Sequence, residues 1–175
     1  MVAMKSFFLF VLTIVFMIDA NAQTTPGADA VLKDAFAKAA REDKKVMVIF
    51  RASWCGWCEV MDASLNDASV KGFFDKNFVI THLTIDESKS KKNLENTGAA
   101  ELNKKWGGGE QGIPFWVILD KDGTLLVNSN DERGENVGCP GTGKEVQYFV
   151  EVLKKTTSIN SQEVSAVVKR FGRNQ

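Results

Sequence analysis

A run of five consecutive apolar residues, Val-Met-Val-Ile-Phe at 46–50, constrains the fold more than any other feature of the sequence. The run is too short for a helix of a globular protein and shows no alternation of polar and apolar residues, so it predicts a strand that is buried on both faces. Just before it, apolar residues recur at helical spacing, at Ala28, Leu32, Ala35 and Ala39. A helix therefore leads into a strand that needs helices on each side.

The segments after this strand continue the alternation of helix and strand. A turn and a helix are predicted from about Cys55, with a break near Asn66 and a continuation to about Lys76. Residues 78–85 are rich in β-branched and aromatic side chains and predict a second buried strand. Residues 91–106 predict a third helix.

The second half of the chain predicts a hairpin followed by helices. Two apolar segments, 115–119 and 124–127, flank the turn Asp-Lys-Asp-Gly, which is typical of a β-hairpin. Two helical faces follow, marked by Val146, Phe149, Val150 and Leu153 and then by Val164, Val167, Val168 and Phe171. The order of elements predicts an α/β fold, in which a small mixed β-sheet has helices on both faces and an extra C-terminal helix.

Length and charge limit the function classes. The 175 residues favour one domain, which we assign to residues 23–175. The 22 basic and 22 acidic side chains give a net charge of zero, so no basic surface is indicated for nucleic acid or for an anionic membrane. Three cysteines are too few for a small domain that is held together by disulfides.

The first 22 residues have the pattern of a signal peptide. Lys5 precedes an apolar segment at 7–18, and Ala20-Asn21-Ala22 has the small-x-small form that signal peptidase accepts. A membrane anchor is the alternative, but the segment is shorter than the roughly 20 residues of a bilayer span. We therefore expect cleavage after Ala22 and a mature protein that is periplasmic or secreted, without membrane insertion.

The chemistry of the sequence is concentrated in Trp54-Cys55-Gly56-Trp57-Cys58. Two cysteines three positions apart in the first turn of a helix can close a disulfide without movement of the backbone. The free N–H groups and the positive end of the helix dipole favour a thiolate at the first cysteine. The second cysteine, one turn further in, can resolve a mixed disulfide formed by the first, and this arrangement predicts thiol–disulfide exchange.

Haem attachment and zinc binding explain the cysteine pair less well than thiol–disulfide exchange does. Covalent haem attachment requires a histidine directly after the second cysteine, where this chain has Glu59. A zinc site requires about four ligands, and the chain offers only Cys55, Cys58, Cys139 and His82, without a second closely spaced pair. A purely structural disulfide remains open, although closing so short a loop adds little stability.

The motif and its surroundings resemble the thioredoxin superfamily over about residues 28–157. Trp-Cys-Gly-x-Cys directly follows a buried apolar strand, and Gly112-Ile113-Pro114 opens another strand further along the chain. The stretch after the active helix is similar to exported proteins related to the C-terminal domain of the thiol:disulfide interchange reductase. In that superfamily the proline peptide bond is cis, and its loop pairs with the substrate chain beside the disulfide.

The resemblance implies a role for each residue of the motif. Cys55 is the attacking thiolate, Cys58 is the resolving thiol, and Pro114, with Ile113 before it, organises the loop that binds substrate. Trp54 and Trp57 form an apolar rim around the sulfurs. The dithiol itself is the redox group, so the resemblance implies no metal, flavin or nucleotide cofactor.

The chain departs from the family pattern around the dithiol. The family usually places a buried aspartate six residues before the first cysteine, where this chain has Ile49, and Gly-Pro between the cysteines, where it has Gly56-Trp57. The aspartate usually accepts the proton of the second thiol. His82, the only histidine, is predicted to lie beside Ile49 and is our candidate for the base that deprotonates Cys58. A packed histidine without a catalytic role is the alternative.

We expect an exported thiol–disulfide oxidoreductase that reduces protein or small-molecule disulfides and takes its electrons from a membrane partner. The alternatives are a dithiol oxidase and a non-catalytic binding or chaperone-like module with the same fold. No dimerisation helix is evident, so we expect a monomer. Cys139, in the irregular stretch at 128–143, is expected to be a free thiol without a role in exchange. The alternative is a third thiol that exchanges with the active pair or links two chains.

Overall fold

A computed structural model describes residues 25–174 of the chain, as six α-helices, four strands and a 3₁₀ turn at Lys89–Leu94. The helices are α1 (Ala28–Glu42), α2 (Gly56–Leu65), α3 (Lys71–Asn77), α4 (Ala99–Lys105), α5 (Gly143–Thr156) and α6 (Ser161–Phe171). The strands are β1 (Lys45–Arg51), β2 (Phe78–Thr84), β3 (Phe115–Leu119) and β4 (Leu125–Asn128). The predicted order of helices and strands, including the extra C-terminal helix, is confirmed.

The four strands form one mixed sheet in the order β2-β1-β3-β4. β1 is parallel to β2 and antiparallel to β3, and β3 is antiparallel to β4. β1 is the strand with the apolar run at 46–50, and all five residues of the run are buried. β1 lies between β2 and β3, and helices cover both of its faces. Side chains on either face are therefore buried, which explains why no polar residue interrupts the run.

Each face of the sheet has its own hydrophobic core. Met47 and Ile49 of β1 point to a core shared with α2, α3, α5 and α6. Val46, Val48 and Phe50 point the other way, to a core shared with α1 and α4. Successive side chains of a strand alternate between faces, so the short run supplies both cores at once. The prediction that helices cover both faces of the sheet is confirmed.

The single helix predicted over 91–106 is wrong. The structure has the 3₁₀ turn and α4 there, separated at 95–98. Asn96 explains the interruption, because its side chain accepts from Thr84 N at 2.6 Å and donates to Pro26 O at 2.8 Å. These hydrogen bonds tie the segment to the end of β2 and the beginning of α1. Gly98 follows with φ of 85°, a conformation that a helix interior excludes.

Strand pairing brings the two predicted parts of the site together. β1 ends at Arg51, shortly before Cys55, and Phe50 of β1 is paired with Phe115 of β3. Because the two strands are antiparallel, the end of β1 lies beside the beginning of β3. Pro114 immediately precedes β3, so the turn that carries the cysteines and the proline turn meet at one edge of the sheet.

The predicted signal peptide, residues 1–22, lies outside the described residues. Within residues 25–174, no helix is both long and apolar enough to cross a membrane.

Candidate active site

Cys55 and Cys58 form a disulfide at the N-terminus of α2, with their Cα atoms 5.3 Å apart. Cys55 is the N-cap residue of the helix, and its Sγ accepts a hydrogen bond from Cys58 N at 3.1 Å. Cys55 is 5% exposed and Cys58 only 1%. The first sulfur therefore lies against the free N–H groups of the first helical turn, and the second lies deeper.

The turn before Cys55 is held by a buried carboxylate that the sequence pattern does not indicate. Glu87 is 4% exposed, and its two carboxylate oxygens accept from the backbone N–H and the hydroxyl of Ser53. Trp54 Nε1 donates to the Asp86 carbonyl at 2.8 Å. The segment after β2 thus orients Ser53 and Trp54, and with them the beginning of α2.

The predicted proline turn lies directly beside the disulfide. The Ile113–Pro114 peptide bond is cis. The carbonyl oxygen of Ile113 is 3.6 Å from Cys55 Sγ, and the Ile113 side chain packs against both cysteines. Cys55, Cys58, Ile113 and Pro114 therefore form one site, although the two halves are far apart in the sequence.

The two tryptophans of the motif are exposed beside this site. Trp54 is 60% exposed and Trp57 is 54% exposed, which is unusual for large apolar side chains. Trp57 also lines an open cleft of about 770 Å³, together with Ile113, Pro114, Asn136 and Thr142. The cleft therefore reaches the proline turn and has one aromatic wall.

His82 lies beside Ile49, as predicted, because the two residues are paired across β1 and β2. Its ring Nε2 is 2.7 Å from an Asp62 carboxylate oxygen, and the other oxygen of Asp62 accepts from Arg51 at 2.7 Å. No hydrogen bond joins His82 to Cys58 among residues 25–174. The direct contact expected of a base is thus absent from this oxidised form, and the catalytic role of His82 stays a prediction.

Cys139 is a free, buried thiol, 9% exposed, at the edge of the same cleft. Burial raises the pKa of its thiol to about 11, although the positive charge of Arg170 and the Asn174 side chain, 3.5 Å from Sγ, act in the opposite direction. A protonated thiol is a poor nucleophile. At neutral pH we therefore expect Cys139 to be a weaker nucleophile than Cys55, which caps α2.

No group of three or more His, Cys, Asp or Glu side chains suited to a metal ion occurs within the described part of the chain. His82 contacts Asp62, and the sulfurs of Cys55 and Cys58 bond to each other. The four candidate zinc ligands weighed from the sequence are therefore not assembled into one site.

Sequence reasoning missed three polar side chains of this region: Asp62, Glu87 and Asn136. Asp62 follows Cys58 by four positions on α2, so helical spacing places it on the same side of the helix and supplies a usable signal. Glu87 and Asn136 lie in irregular segments, where no periodicity indicates which way a side chain points.

Comparisons with known proteins agree with this geometry. A family model described as thioredoxin-like matches residues 28–121, more than half of the chain. No curated protein is significantly similar to the chain.

Several solved structures are similar to the chain. A disulphide isomerase from Xylella fastidiosa Temecula1 is 25% identical, with a TM-score of 0.48, over 63% of this chain and 76% of the other. The oxidised C-terminal domain of DsbD from Neisseria meningitidis is 26% identical, with a TM-score of 0.40, over 59% and 84%. The oxidoreductase DsbH is 22% identical, with a TM-score of 0.46, over 71% and 80%.

The family model covers the helix-capping cysteines and the proline turn, which the structure brings together around one disulfide. The chain belongs to the thioredoxin-like family.

Proposed function

We propose that this protein is an exported disulfide reductase, in which Cys55 attacks the substrate and Cys58 resolves the mixed disulfide. The observation that carries the proposal is the Cys55–Cys58 disulfide at the N-terminus of α2, with Cys55 Sγ 3.6 Å from the carbonyl oxygen of Ile113. A sulfur at this position faces both the helix dipole and the turn that meets substrate.

The exchange has two steps. The Cys55 thiolate attacks one sulfur of the substrate disulfide, which forms a mixed disulfide and releases one substrate thiolate. The Cys58 thiol loses its proton and attacks Cys55 Sγ, which forms the Cys55–Cys58 disulfide and releases the second substrate thiolate. Two electrons pass from the protein to the substrate, so a dithiol donor must reduce the protein again.

The surroundings of the two sulfurs support this division of roles. Cys55 is the more exposed of the two residues and is the N-cap of α2, where unpaired N–H groups stabilise a thiolate. The Cys58 sulfur is almost fully buried among Ala52, Cys55 and Ile113. A substrate disulfide therefore reaches Cys55 first, and Cys58 reaches only the mixed disulfide.

Exposed aromatic surface beside the disulfide supports substrate roles for Trp54, Trp57, Ile113 and Pro114. Trp57 and the proline turn line the same cleft, and Trp54 flanks the sulfurs with its indole N–H held by Asp86. Apolar rings at the rim exclude water from the exchange and contact the substrate chain. Protein disulfides and small-molecule disulfides are both candidate substrates.

The direction of electron flow is proposed from the charges near Cys55. The first turn of α2 carries the acidic Glu59. No cationic side chain is hydrogen-bonded to either sulfur within residues 25–174, so no strong stabilisation favours the reduced form. The reduction potential tests this directly: a value near −270 mV, as in thioredoxin, supports a reductase, and one near −120 mV indicates a dithiol oxidase, both values being approximate.

Export is proposed from residues 1–22, with the electrons for re-reduction supplied by a membrane partner. Fractionation of cells that express the full chain, and of cells that express residues 23–175 after a new Met, tests this proposal. We expect cells that express the full chain to export it and to cleave it after Ala22. Cells that express only residues 23–175 should keep the protein in the cytoplasm. Retention of the full chain in the cytoplasm would contradict it.

Trapping of mixed disulfides tests the mechanism. We expect Cys58→Ser to accumulate mixed disulfides with substrate proteins, because Cys55 still attacks and nothing resolves the product. Cys55→Ser is the matched control and should trap none. The reverse pattern would exchange the two roles, and the absence of disulfide reduction by the wild-type protein would indicate a non-catalytic binding or chaperone-like module.

A further inference from the structure

The loop between β4 and α5, residues 129–142, returns to the proline turn through the side chain of Asn136. Its Nδ2 donates to the carbonyl oxygens of Gly112 at 2.7 Å and Pro114 at 3.1 Å. These two carbonyls flank Ile113, whose own carbonyl oxygen faces Cys55 Sγ. One amide group therefore holds the turn on both sides of the residue that lies against the disulfide.

The amide of Asn136 is itself fixed by the loop. Its Oδ1 accepts from Ser129 Oγ at 2.7 Å and from Gly138 N at 2.9 Å. Ser129 is fully buried, and its hydroxyl also accepts from Trp116 N at 3.1 Å. Because the two carbonyls can only accept and the Gly138 N–H can only donate, the orientation of the amide is determined by its partners.

The loop also approaches the turn closely at Gly138. This residue has φ of 58°, and a Cβ atom there would lie 3.2 Å from the carbonyl oxygen of Pro114. Trp116 Nε1 donates to the Gly138 carbonyl at 2.8 Å, which anchors the loop to β3. The loop is thus built against the turn, and the cleft of about 770 Å³ lies between the loop, the turn and Trp57.

Ile113, which lies beside the disulfide, does not use its backbone groups in backbone hydrogen bonds within the described part of the chain. Its N–H and carbonyl make no backbone hydrogen bond to any of residues 25–174. A partly exposed residue whose backbone N–H and carbonyl are unpaired can form hydrogen bonds with an extended peptide. The neighbouring cleft has the volume of a typical ligand site and one aromatic wall, which suits the side chains of such a peptide.

We propose that Asn136 is a positioning residue for polypeptide substrates. It holds Gly112–Pro114 in the geometry with which an extended, cysteine-containing chain can pair. The inference rests on the proposed function and deepens it, since it names polypeptide disulfides as the substrates that use the loop. A small disulfide reaches Cys55 without pairing to the turn and does not depend on Asn136.

Asn136→Asp is the sharpest test, because aspartate keeps an acceptor for Ser129 and Gly138 but loses both donors to the turn. With insulin as the polypeptide substrate, we expect KM to rise about 10-fold or more and kcat to stay within about threefold. With dithiobis(nitrobenzoate), a small aromatic disulfide, we expect the rate to stay within about twofold. Asn136→Ala, which introduces no charge, should show the same split.

Asn130→Asp is the matched control. Asn130 lies in the same loop, but its Nδ2 donates to the Gly107 carbonyl at 3.1 Å, away from the proline turn. We expect both substrates to react with this variant as with the wild type. An equal fall in kcat for both substrates in Asn136→Asp, or an insulin KM within about twofold of the wild type, would overturn the proposal.

Binding without turnover separates this inference from the proposed function. Reduced and carboxymethylated insulin B chain is added to the oxidised protein, and the amide resonance of Ile113 and the indole resonance of Trp57 are followed by NMR. We expect both to shift in the wild type and in Asn130→Asp, and not in Asn136→Asp. Equal shifts in all three proteins would overturn the inference, whereas failure of the wild type to reduce either disulfide would overturn the proposed function alone.

Discussion

Single side chains decide how the backbone around the disulfide is held. Glu87 holds the turn before Cys55, and Asn136 holds the turn before β3. Both act by hydrogen bonds to backbone groups that local secondary structure leaves unpaired. Such groups are costly to leave unsatisfied when partly buried, so these polar side chains stabilise the geometry of the site as well as the fold.

At this scale, His82→Leu tests the proposed base. We expect resolution by Cys58 to slow by about 10- to 100-fold, while the first attack by Cys55 and the fold are largely kept, because a leucine side chain cannot accept the proton of the Cys58 thiol. Rapid-quench measurement of the decay of the mixed disulfide, over a range of pH, gives the rate. Asp62→Asn, which removes the charge that faces His82, shows whether the pair acts together. An unaltered pH–rate profile in His82→Leu would contradict the role.

Cys139→Ser tests the expectation that the third cysteine takes no part in exchange. We expect unchanged reduction of insulin, because burial raises the pKa of the Cys139 thiol to about 11 and keeps it protonated at neutral pH. In the reduced wild type, iodoacetamide should alkylate Cys55 rapidly and Cys139 slowly, which mass spectrometry of the peptides can measure. A loss of activity of more than about tenfold in Cys139→Ser would show that the thiol participates.

At the scale of elements, α6 completes the core beneath the sheet on the side of α2. Val167 and Phe171 are fully buried, and the Phe171 ring contacts the rings of Phe74 and Phe149. After the helix, Asn174 donates to Ser64 Oγ and to the Pro140 carbonyl. The segment after the C-terminal helix therefore connects α2 to the loop that lines the cleft beside the proline turn.

Phe171→Ala measures the contribution of α6. We expect the free energy of unfolding to fall by about 3–5 kcal/mol, since the change removes a buried aromatic ring and leaves a cavity. Urea unfolding of the oxidised protein gives this value. Val168→Ala, on the exposed side of the same helix, is the control and should cost less than about 1 kcal/mol. Equal effects of the two variants would mean that α6 does not stabilise the fold through this core.

At the scale of the whole molecule, the buried thiol makes stability depend on pH. Burial raises the pKa of Cys139 from its ordinary value of about 9 to about 11 in the folded protein. The folded state thus keeps a proton that the unfolded state loses. Its contribution to stability is complete below the unfolded pKa and is lost as the pH rises through the folded pKa.

We therefore expect the oxidised wild type to lose about 2–3 kcal/mol more than Cys139→Ser between pH ~8 and pH ~11. Urea unfolding of both proteins at several pH values gives the difference. Tyr148, whose pKa burial raises, is present in both proteins and cancels in the comparison. Parallel pH dependence in the two proteins would contradict the prediction.

Local patterns in the sequence predict many of the secondary-structure elements and the position of the disulfide. The five apolar residues at 46–50 predicted a strand buried on both faces, and the spacing of Cys55 and Cys58 predicted a disulfide at the beginning of a helix. The helix predicted over 91–106 was wrong, because Asn96 binds backbone groups of two other elements. Periodicity reports which face of an element is apolar, and it does not report a side chain that leaves its own element for a distant partner.

The sequence by itself determined the order of elements, the mixed sheet with helices on both faces and the position of the dithiol. These depend on hydrophobic period and on residues that are neighbours in the chain. Only the tertiary structure decided which polar groups surround the dithiol: Glu87 reaches Ser53 across 34 positions, and Asn136 reaches Gly112 across 24. His82 likewise meets Asp62, not Cys58, because strand pairing and the seating of α2 set that contact. A hydrogen bond between irregular segments depends on where the packed sheet brings them, and that information lies in no single stretch of the chain.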